Sequence, residues 1–259
     1  MRRESRVERK EFQIQERDRS ISGNIFNLTQ EKGKVKKLIL ACHGFDSSKD
    51  SSSIVKIAEV FEETNIPLIS FNWPGHGDSQ EEITLEGCFQ VLRKVEETIE
   101  KNFPNASIYL YGSSFGGYVI LQYLQQNLSF NEKKIEKYVF LKSPAIKMNE
   151  ILQNILIDET MDVFQNRGYT VKERNKKMVI PYKFFEELCE NRIDEGTIKR
   201  IKKQMIIFHG TSDETASFEA VRNLESDNVE INELKHAKHS FKGEFLEKMA
   251  IKMKEIIQK

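Results

Sequence analysis

Ser114, Asp213 and His239 are of the three residue types, hydroxyl, carboxylate and imidazole, that acyl transfer through a covalent intermediate can use. A serine hydroxyl is a poor nucleophile at neutral pH. An imidazole must take its proton, and a carboxylate must orient that imidazole and stabilise its charged form. Ser114 lies in Gly112-x-Ser114-x-Gly116, the spacing of a nucleophile elbow, in which a strand turns sharply into a helix and the serine backbone is strained. Side chains at the two flanking positions would collide in such a turn, so glycine is expected at both. Ser113 is adjacent, but only Ser114 has glycine two positions before and two after. The five-residue pattern alone is weak, because Gly and Ser are common. Its surroundings strengthen it: the short apolar run Ser107–Tyr111 precedes it, and Val119, Ile120, Tyr123 and Leu124 follow at helical spacing along one side. The start of that helix would turn free N–H groups and a positive dipole end toward whatever binds above the serine.

These residues need elements to position them. Residues 1–10 read as a charged lead-in. Phe12–Gln15 and Ile21–Phe26 read as an antiparallel hairpin at a sheet edge. Leu38–Cys42 is a continuous apolar run of the kind found in sheets covered on both faces, and it leads straight into His43-Gly44-Phe45. Ile66–Phe71, with Pro67 near its start, opens into the turn-rich Asn72–Ser79. Lys137–Leu141, Met205–Phe208 and Val229–Leu234 are further strand candidates. Helical stripes run through Ile54, Ile57, Ala58 and Phe61, through Leu85, Cys88, Phe89, Leu92, Val95 and Ile99, and through Phe245, Met249, Met253 and Ile256. Between about 145 and 200 the pattern changes to two amphipathic segments, near 148–166 and 181–192. A charged stretch from Lys172 to Lys177 separates them, and no strand is expected there. Alternating strands and helices imply βαβ units and a mostly parallel sheet, whose working loops gather at the carboxyl ends of its strands. His43–Phe45, Trp73–Ser79, Ser114, Asp213 and His239 all fall at such ends.

Bulk properties narrow the field. Lys plus Arg number 40 and Asp plus Glu number 40, a balance that argues against a nucleic-acid or anionic-membrane partner. No apolar run approaches the length of a bilayer span, and the charged N-terminus lacks the apolar core of a secretory signal. Cys42, Cys88 and Cys189 have no metal-type spacing and cannot all pair, which favours a reducing, cytoplasmic setting. The glycosylation-type triplets at Asn27, Asn105 and Asn127 are attributed to chance in an Asn-rich chain. The oligomeric state stays open, a homodimer included.

With these segments in place, the chain resembles the α/β-hydrolases over nearly its full length. His43-Gly44-Phe45 resembles the family's oxyanion loop, and Trp73-Pro74-Gly75-His76-Gly77-Asp78-Ser79 its GHG-S loop. His209-Gly210-Thr211-Ser212-Asp213 resembles its acid loop, and His236-Ala237-Lys238-His239-Ser240-Phe241 its histidine loop. Within the family the similarity is greatest to small bacterial carboxylesterases, including cinnamoyl and feruloyl esterases and monoacylglycerol-lipase-like enzymes. The resemblance implies an α/β fold of about eight mostly parallel strands with helices on both faces. It implies one domain over 1–259, with a small helical cap inserted near 145–200. It also implies Ser114 as nucleophile, His239 as base and then acid, and Asp213 as orienting carboxylate. The backbone N–H groups of Phe45 and Phe115 would hold the oxyanion. The expected substrate is a small-molecule ester, with no cofactor and no metal.

Each position has a rival. His236 competes with His239, but the aromatic two positions after His239 (Phe241) fits the family pattern. Glu214 competes with Asp213. The strand before it ends Lys142-Ser143-Pro144 without a carboxylate. His43, His76 and His209 are expected to hold loops, since their spacing fits no metal motif. Asp78 reads as a turn carboxylate. Cap residues Ile151, Leu152, Ile155, Phe164, Tyr182, Phe184 and Phe185 either pack on the main body or line an acyl pocket. An aminopeptidase-like or prolyl-oligopeptidase-like enzyme on the same fold would use cap acids such as Glu150, Asp158, Glu159, Asp162, Glu186 or Glu187. A thioesterase, or a non-catalytic binding module that has kept the fold, would also fit the sequence.

Overall fold

The computed structural model describes residues 7–16, 19–156, 164–166, 168–173, 176–224 and 226–259. Eight strands form one sheet in the order β1-β2-β4-β3-β5-β6-β9-β10. β1 (Arg9–Glu16) and β2 (Arg19–Phe26) make the expected antiparallel hairpin, and β2 pairs antiparallel with β4 (Leu68–Phe71). The remaining strands, β3 (Lys37–Cys42), β5 (Ser107–Ser113), β6 (Ile135–Lys142), β9 (Gln204–Gly210) and β10 (Val229–Leu234), run parallel with their neighbours and with β4.

Two-residue periodicity divides the core between the sheet's faces. Leu38, Leu40, Cys42, Leu110, Val139 and Leu141 join one apolar cluster, while Ile39, Ala41, Tyr109, Tyr111 and Phe140 join the other. The second cluster is closed by α1 (Ser52–Val60) through Ile54, Ile57 and Ala58, and by the C-terminal helix Glu244–Gln258 through Met249, Ala250, Met253 and Ile257. The C-terminal stripe therefore ends on Ile257, and Ile256 only packs at its edge. The first cluster is closed by α2 (Leu85–Asn102), whose N-cap Thr84 accepts from the Gly87 N–H. It also takes in α3 (Phe115–Gln125), which is buried from Phe115 to Leu124 rather than along one side. A helix apolar all round is one enclosed on every face.

The insertion between β6 and β9 departs from expectation. It contains α4 (Met148–Ile155), then an antiparallel pair, β7 (Tyr169–Glu173) with β8 (Lys176–Ile180), where no strand was expected. This pair forms a two-stranded sheet of its own, so it needs no continuous apolar run, and Lys172, Glu173, Lys176 and Lys177 of the charged stretch pair across its strand ends. α5 (Tyr182–Glu190) and α6 (Glu195–Arg200) follow, the latter opened by a capping box between Asp194 and Thr197. Part of the first amphipathic segment, with Asp158, Glu159 and Asp162, lies outside the described residues. Leu152, Phe164, Phe184 and Leu188 are buried in the same cluster as α2 and α3. Ile151, Tyr182 and Phe185 pack against that cluster, while Ile155 is exposed.

Candidate active site

β5 ends and α3 begins within two residues, and Ser114 occupies the turn with φ 52° and ψ −114°. That left-handed backbone is costly for a residue with a Cβ and persists only where its surroundings enforce it. They do so here: the Ser114 N–H donates to the Lys142 carbonyl at 2.9 Å, and its carbonyl accepts from Gly117, Tyr118 and Ala145 at 3.0–3.1 Å. Both flanking glycines are required by close approach. A Cβ on Gly116 would lie 2.3 Å from the Cys42 carbonyl oxygen, and one on Gly112 would lie 2.7 Å from Gly117 Cα.

The loops after β9 and β10 are stitched together. Ser212 N–H donates to the Ala237 carbonyl at 3.1 Å, and His236 N–H to Thr211 Oγ1 at 2.9 Å. Gly210 packs so tightly on this loop that a Cβ would sit 2.2 Å from the Ala237 oxygen. This stitching brings the imidazole to the serine: His239 Nε2 is 2.9 Å from Ser114 Oγ, and its Nδ1 is 2.9 and 3.1 Å from the two Asp213 oxygens. With Nδ1–H donating to the carboxylate, Nε2 is left as the acceptor facing the hydroxyl. The rivals point elsewhere. His236 is exposed at positive φ, and Glu214 is exposed and pairs with Lys238.

The Asp213 side chain is fully buried. Burial alone would raise its pKa, but hydrogen bonds from His209 and His239, the His239 charge and the Ala216 N–H outweigh it. They hold the carboxyl well below the usual carboxylate range, so it stays ionised. The Thr215 and Ala216 N–H groups bond Oδ1 at 3.0 and 2.8 Å, and His209 Nε2 lies 3.3 Å from Oδ2 while bonding the Ala216 carbonyl at 2.9 Å. His209 is thus a loop holder, as expected, but the loop it holds carries Asp213. Its partner lies four residues on, a spacing visible in the sequence.

On the other side of the serine, Gly44 approaches closely enough that a Cβ would sit 3.3 Å from Ser114 Cβ. His43 Nε2 accepts from the Trp73 N–H at 3.2 Å and its Nδ1 donates to the Gly44 carbonyl at 2.7 Å, while Trp73 Nε1 donates to the His43 carbonyl at 2.9 Å. Complete burial, with the nearby His76 charge, pushes His43 well below the usual imidazole value, so it stays neutral and keeps this tautomer. His43 and Trp73 thereby tie the 43–45 loop to the 72–79 loop. Asp78 accepts from Asn72 at 2.6 Å within the latter loop, as its turn role requires. Phe115 is the first residue of α3, so its N–H has no intrahelical acceptor. The Phe45 and Phe115 rings meet edge to face at 5.7 Å, and Phe184 from the insertion stacks on Phe45 at 6.2 Å and meets Phe115 at 5.8 Å.

A cleft of about 810 Å³ opens at Ser114. Its walls include Phe45, Ser48, Ser52, Ser113, Lys142, His239, Phe241 and Leu246, and among the described residues none from the insertion lines it. Phe184 therefore packs on the body instead of lining this cleft. Sequence reasoning passed over Lys142, a buried amine on the cleft wall whose signal was a lysine directly after the apolar Val139–Leu141.

Comparison with known proteins agrees with this fold. A family model described as α/β hydrolase fold matches residues 37–160. The chain is an α/β-hydrolase-fold protein. It superposes on Est1E from Butyrivibrio proteoclasticus with ferulic acid bound, at TM-score 0.74 and 21% identity, over 96% of this chain and 100% of the other. An esterase from Pyrococcus furiosus matches at TM-score 0.69 and 19% identity, over 98% and 91%. Mouse α/β-hydrolase domain-containing protein 10 matches at TM-score 0.71 and 16% identity, over 96% and 98%. No curated protein sequence matches significantly. Within this hydrolase fold, no described helix is long and apolar enough to cross a membrane.

Proposed function

We propose that the chain is a cofactor-independent serine hydrolase of carboxylic esters of small to medium size. The observation that carries this reading is the continuous hydrogen-bonded line from Ser114 Oγ through His239 to Asp213. In this reading Ser114 attacks the acyl carbon as His239 Nε2 takes its proton, and Asp213 stabilises the imidazolium. His239 then protonates the leaving alcohol, and water, activated by the same imidazole, releases the acid from the acyl-enzyme. The N–H groups of Phe45 and Phe115 receive the oxyanion; losing one such donor costs about 10²–10³ in rate. Because the donors are backbone groups, replacing either phenyl ring leaves them in place.

The cleft walls support substrates that hydrogen-bond over long acyl chains, since serines of the 47–53 stretch line it beside Phe241 and Leu246. The peptidase reading draws less support. Glu187 is taken up by the Leu85 N–H, Glu150 pairs with Lys147, Glu186 is exposed, and none of the three lines the cleft. The same reading takes residues 1–259 as one domain with 145–200 as its cap. It also includes a cytoplasmic setting, to which the free thiols Cys42, Cys88 and Cys189 lend support. A panel of p-nitrophenyl esters of graded acyl length, with a hydroxycinnamate and an aminoacyl amide, tests it. Short esters are expected to turn over and the folded Ser114→Ala variant to be inactive; ester hydrolysis unchanged in that variant would remove the reading.

A further inference from the structure

β6 runs apolar through Val139, Phe140 and Leu141 and then delivers Lys142, only 5% exposed, to the wall of the Ser114 cleft. This residue is fastened to two members of the hydrogen-bonded line. Its carbonyl accepts the Ser114 N–H at 2.9 Å, and its Nζ donates to the His239 carbonyl at 2.8 Å. The Phe241 ring centroid lies 4.5 Å from the same Nζ. Among the described residues, no carboxylate lies within ion-pair distance of this amine. Burial pushes it down to about 8, against the pull of the Asp213 charge.

A buried ammonium without a close counter-ion is a poor choice for packing alone, since an apolar side chain of similar length would fill the space without desolvating a charge. The loop it reaches explains it. Among the described residues, no backbone–backbone hydrogen bond anchors positions 238–241, and Lys238 and Ser240 are exposed. The histidine main chain is held from its N-terminal side through Ala237, and beyond it by the Lys142 amine and the buried Phe241 ring.

We propose that Lys142 is a positioning residue that couples the elbow to the histidine loop, its carbonyl fixing the serine backbone and its amine fixing the histidine backbone. The inference rests on the serine-hydrolase reading. Through one residue, its main chain on one side and its amine on the other, the spacing between Oγ and Nε2 is maintained while the imidazole gains and loses its proton. The nucleophile and base then keep their alignment although the loop carrying the base is exposed.

The test uses the full chain carrying Lys142→Ala or Lys142→Met, with folding checked by circular dichroism. Fluorophosphonate labelling rate, kcat and KM for p-nitrophenyl butyrate are measured. Misplacing a reacting group by about 1 Å can cost on the order of 10²-fold. Both variants are therefore expected to lose about 10- to 100-fold in kcat and in labelling rate, with KM within about threefold. Propylammonium is expected to restore Lys142→Ala in a saturable way, whereas tetramethylammonium at equal ionic strength, which has no N–H to donate, is not. A folded variant within about threefold of the parent, a loss confined to KM, no rescue, or equal rescue by both cations would overturn the proposal. Failure of both variants to fold would assign Lys142 to stability and overturn it as well. A parent protein that neither labels nor hydrolyses the ester would instead refute the serine-hydrolase reading beneath it.

Discussion

Replacing Asp213 by Asn turns one carboxylate oxygen into an NH₂ group, and the hydrogen bonds around the site dictate where that group goes. Oδ1 accepts from Thr215 and Ala216 N–H, so the retained amide oxygen belongs there. The new amide nitrogen then occupies the Oδ2 position, 2.9 Å from His239 Nδ1 and 3.3 Å from His209 Nε2. An NH₂ group facing His239 Nδ1 demands an acceptor, so the imidazole proton moves to Nε2 and faces Ser114 Oγ. The base is then in the tautomer that cannot take the hydroxyl proton. In triads of this geometry the wrong tautomer costs about 10⁴ in kcat. At 1.36 kcal/mol per decade that is about 5 kcal/mol of transition-state stabilisation. Steady-state hydrolysis of a short p-nitrophenyl ester by Asp213→Asn is expected to show this fall in kcat with little change in KM, the fold being checked by circular dichroism. A folded variant retaining more than about a tenth of parental kcat would refute the assignment of Asp213 as the orienting carboxylate.

The same carboxylate makes stability pH-dependent. Because its folded value is held below the unfolded value of about 3.9, its stabilising contribution is complete above that value and is lost as pH falls through the lower, folded one. Urea midpoints of the parent and Asp213→Asn are accordingly expected to converge below about pH 4; a constant gap from pH 7 to pH 3 would contradict this. Gly116→Ala is expected to unfold the elbow or abolish activity, because its Cβ meets the Cys42 oxygen at 2.3 Å, whereas Gly33→Ala, with nothing within 4 Å, is expected to stay near parental stability. Equal denaturation midpoints for the two variants would argue against the packing described. Phe184→Ala removes a fully buried ring stacked on Phe45 and is expected to cost about 3–5 kcal/mol in denaturant unfolding. A loss below about 1 kcal/mol would show that the insertion does not clamp these rings.

Much of the fold and the site was legible in the sequence because the residues that matter sit where a pattern breaks. Ser114, Asp213 and His239 each follow a strand of recognisable periodicity, and a parallel sheet collects such positions at one edge. Gly112 and Gly116 were legible because close backbone approach leaves room for hydrogen alone. The β7–β8 pair was not, since a two-stranded sheet apart from the main one does not require the continuous apolar run by which the buried strands were recognised. The all-round burial of α3 was hidden for a related reason: its far faces are covered by the insertion and α6, which only tertiary packing brings there. Lys142 was invisible as a site residue because its partner His239 lies 97 positions away, and a lysine ending a strand reads as the strand reaching solvent.

Every step of the proposed chemistry depends on the hydroxyl of Ser114 being activated by His239. Incubation with a fluorophosphonate, digestion and mass mapping measure this directly. One adduct on Ser114 is predicted, absent in Ser114→Ala and formed at least about 10³-fold more slowly in His239→Ala. No adduct, or an adduct that persists on Ser113 or elsewhere in Ser114→Ala, would contradict it.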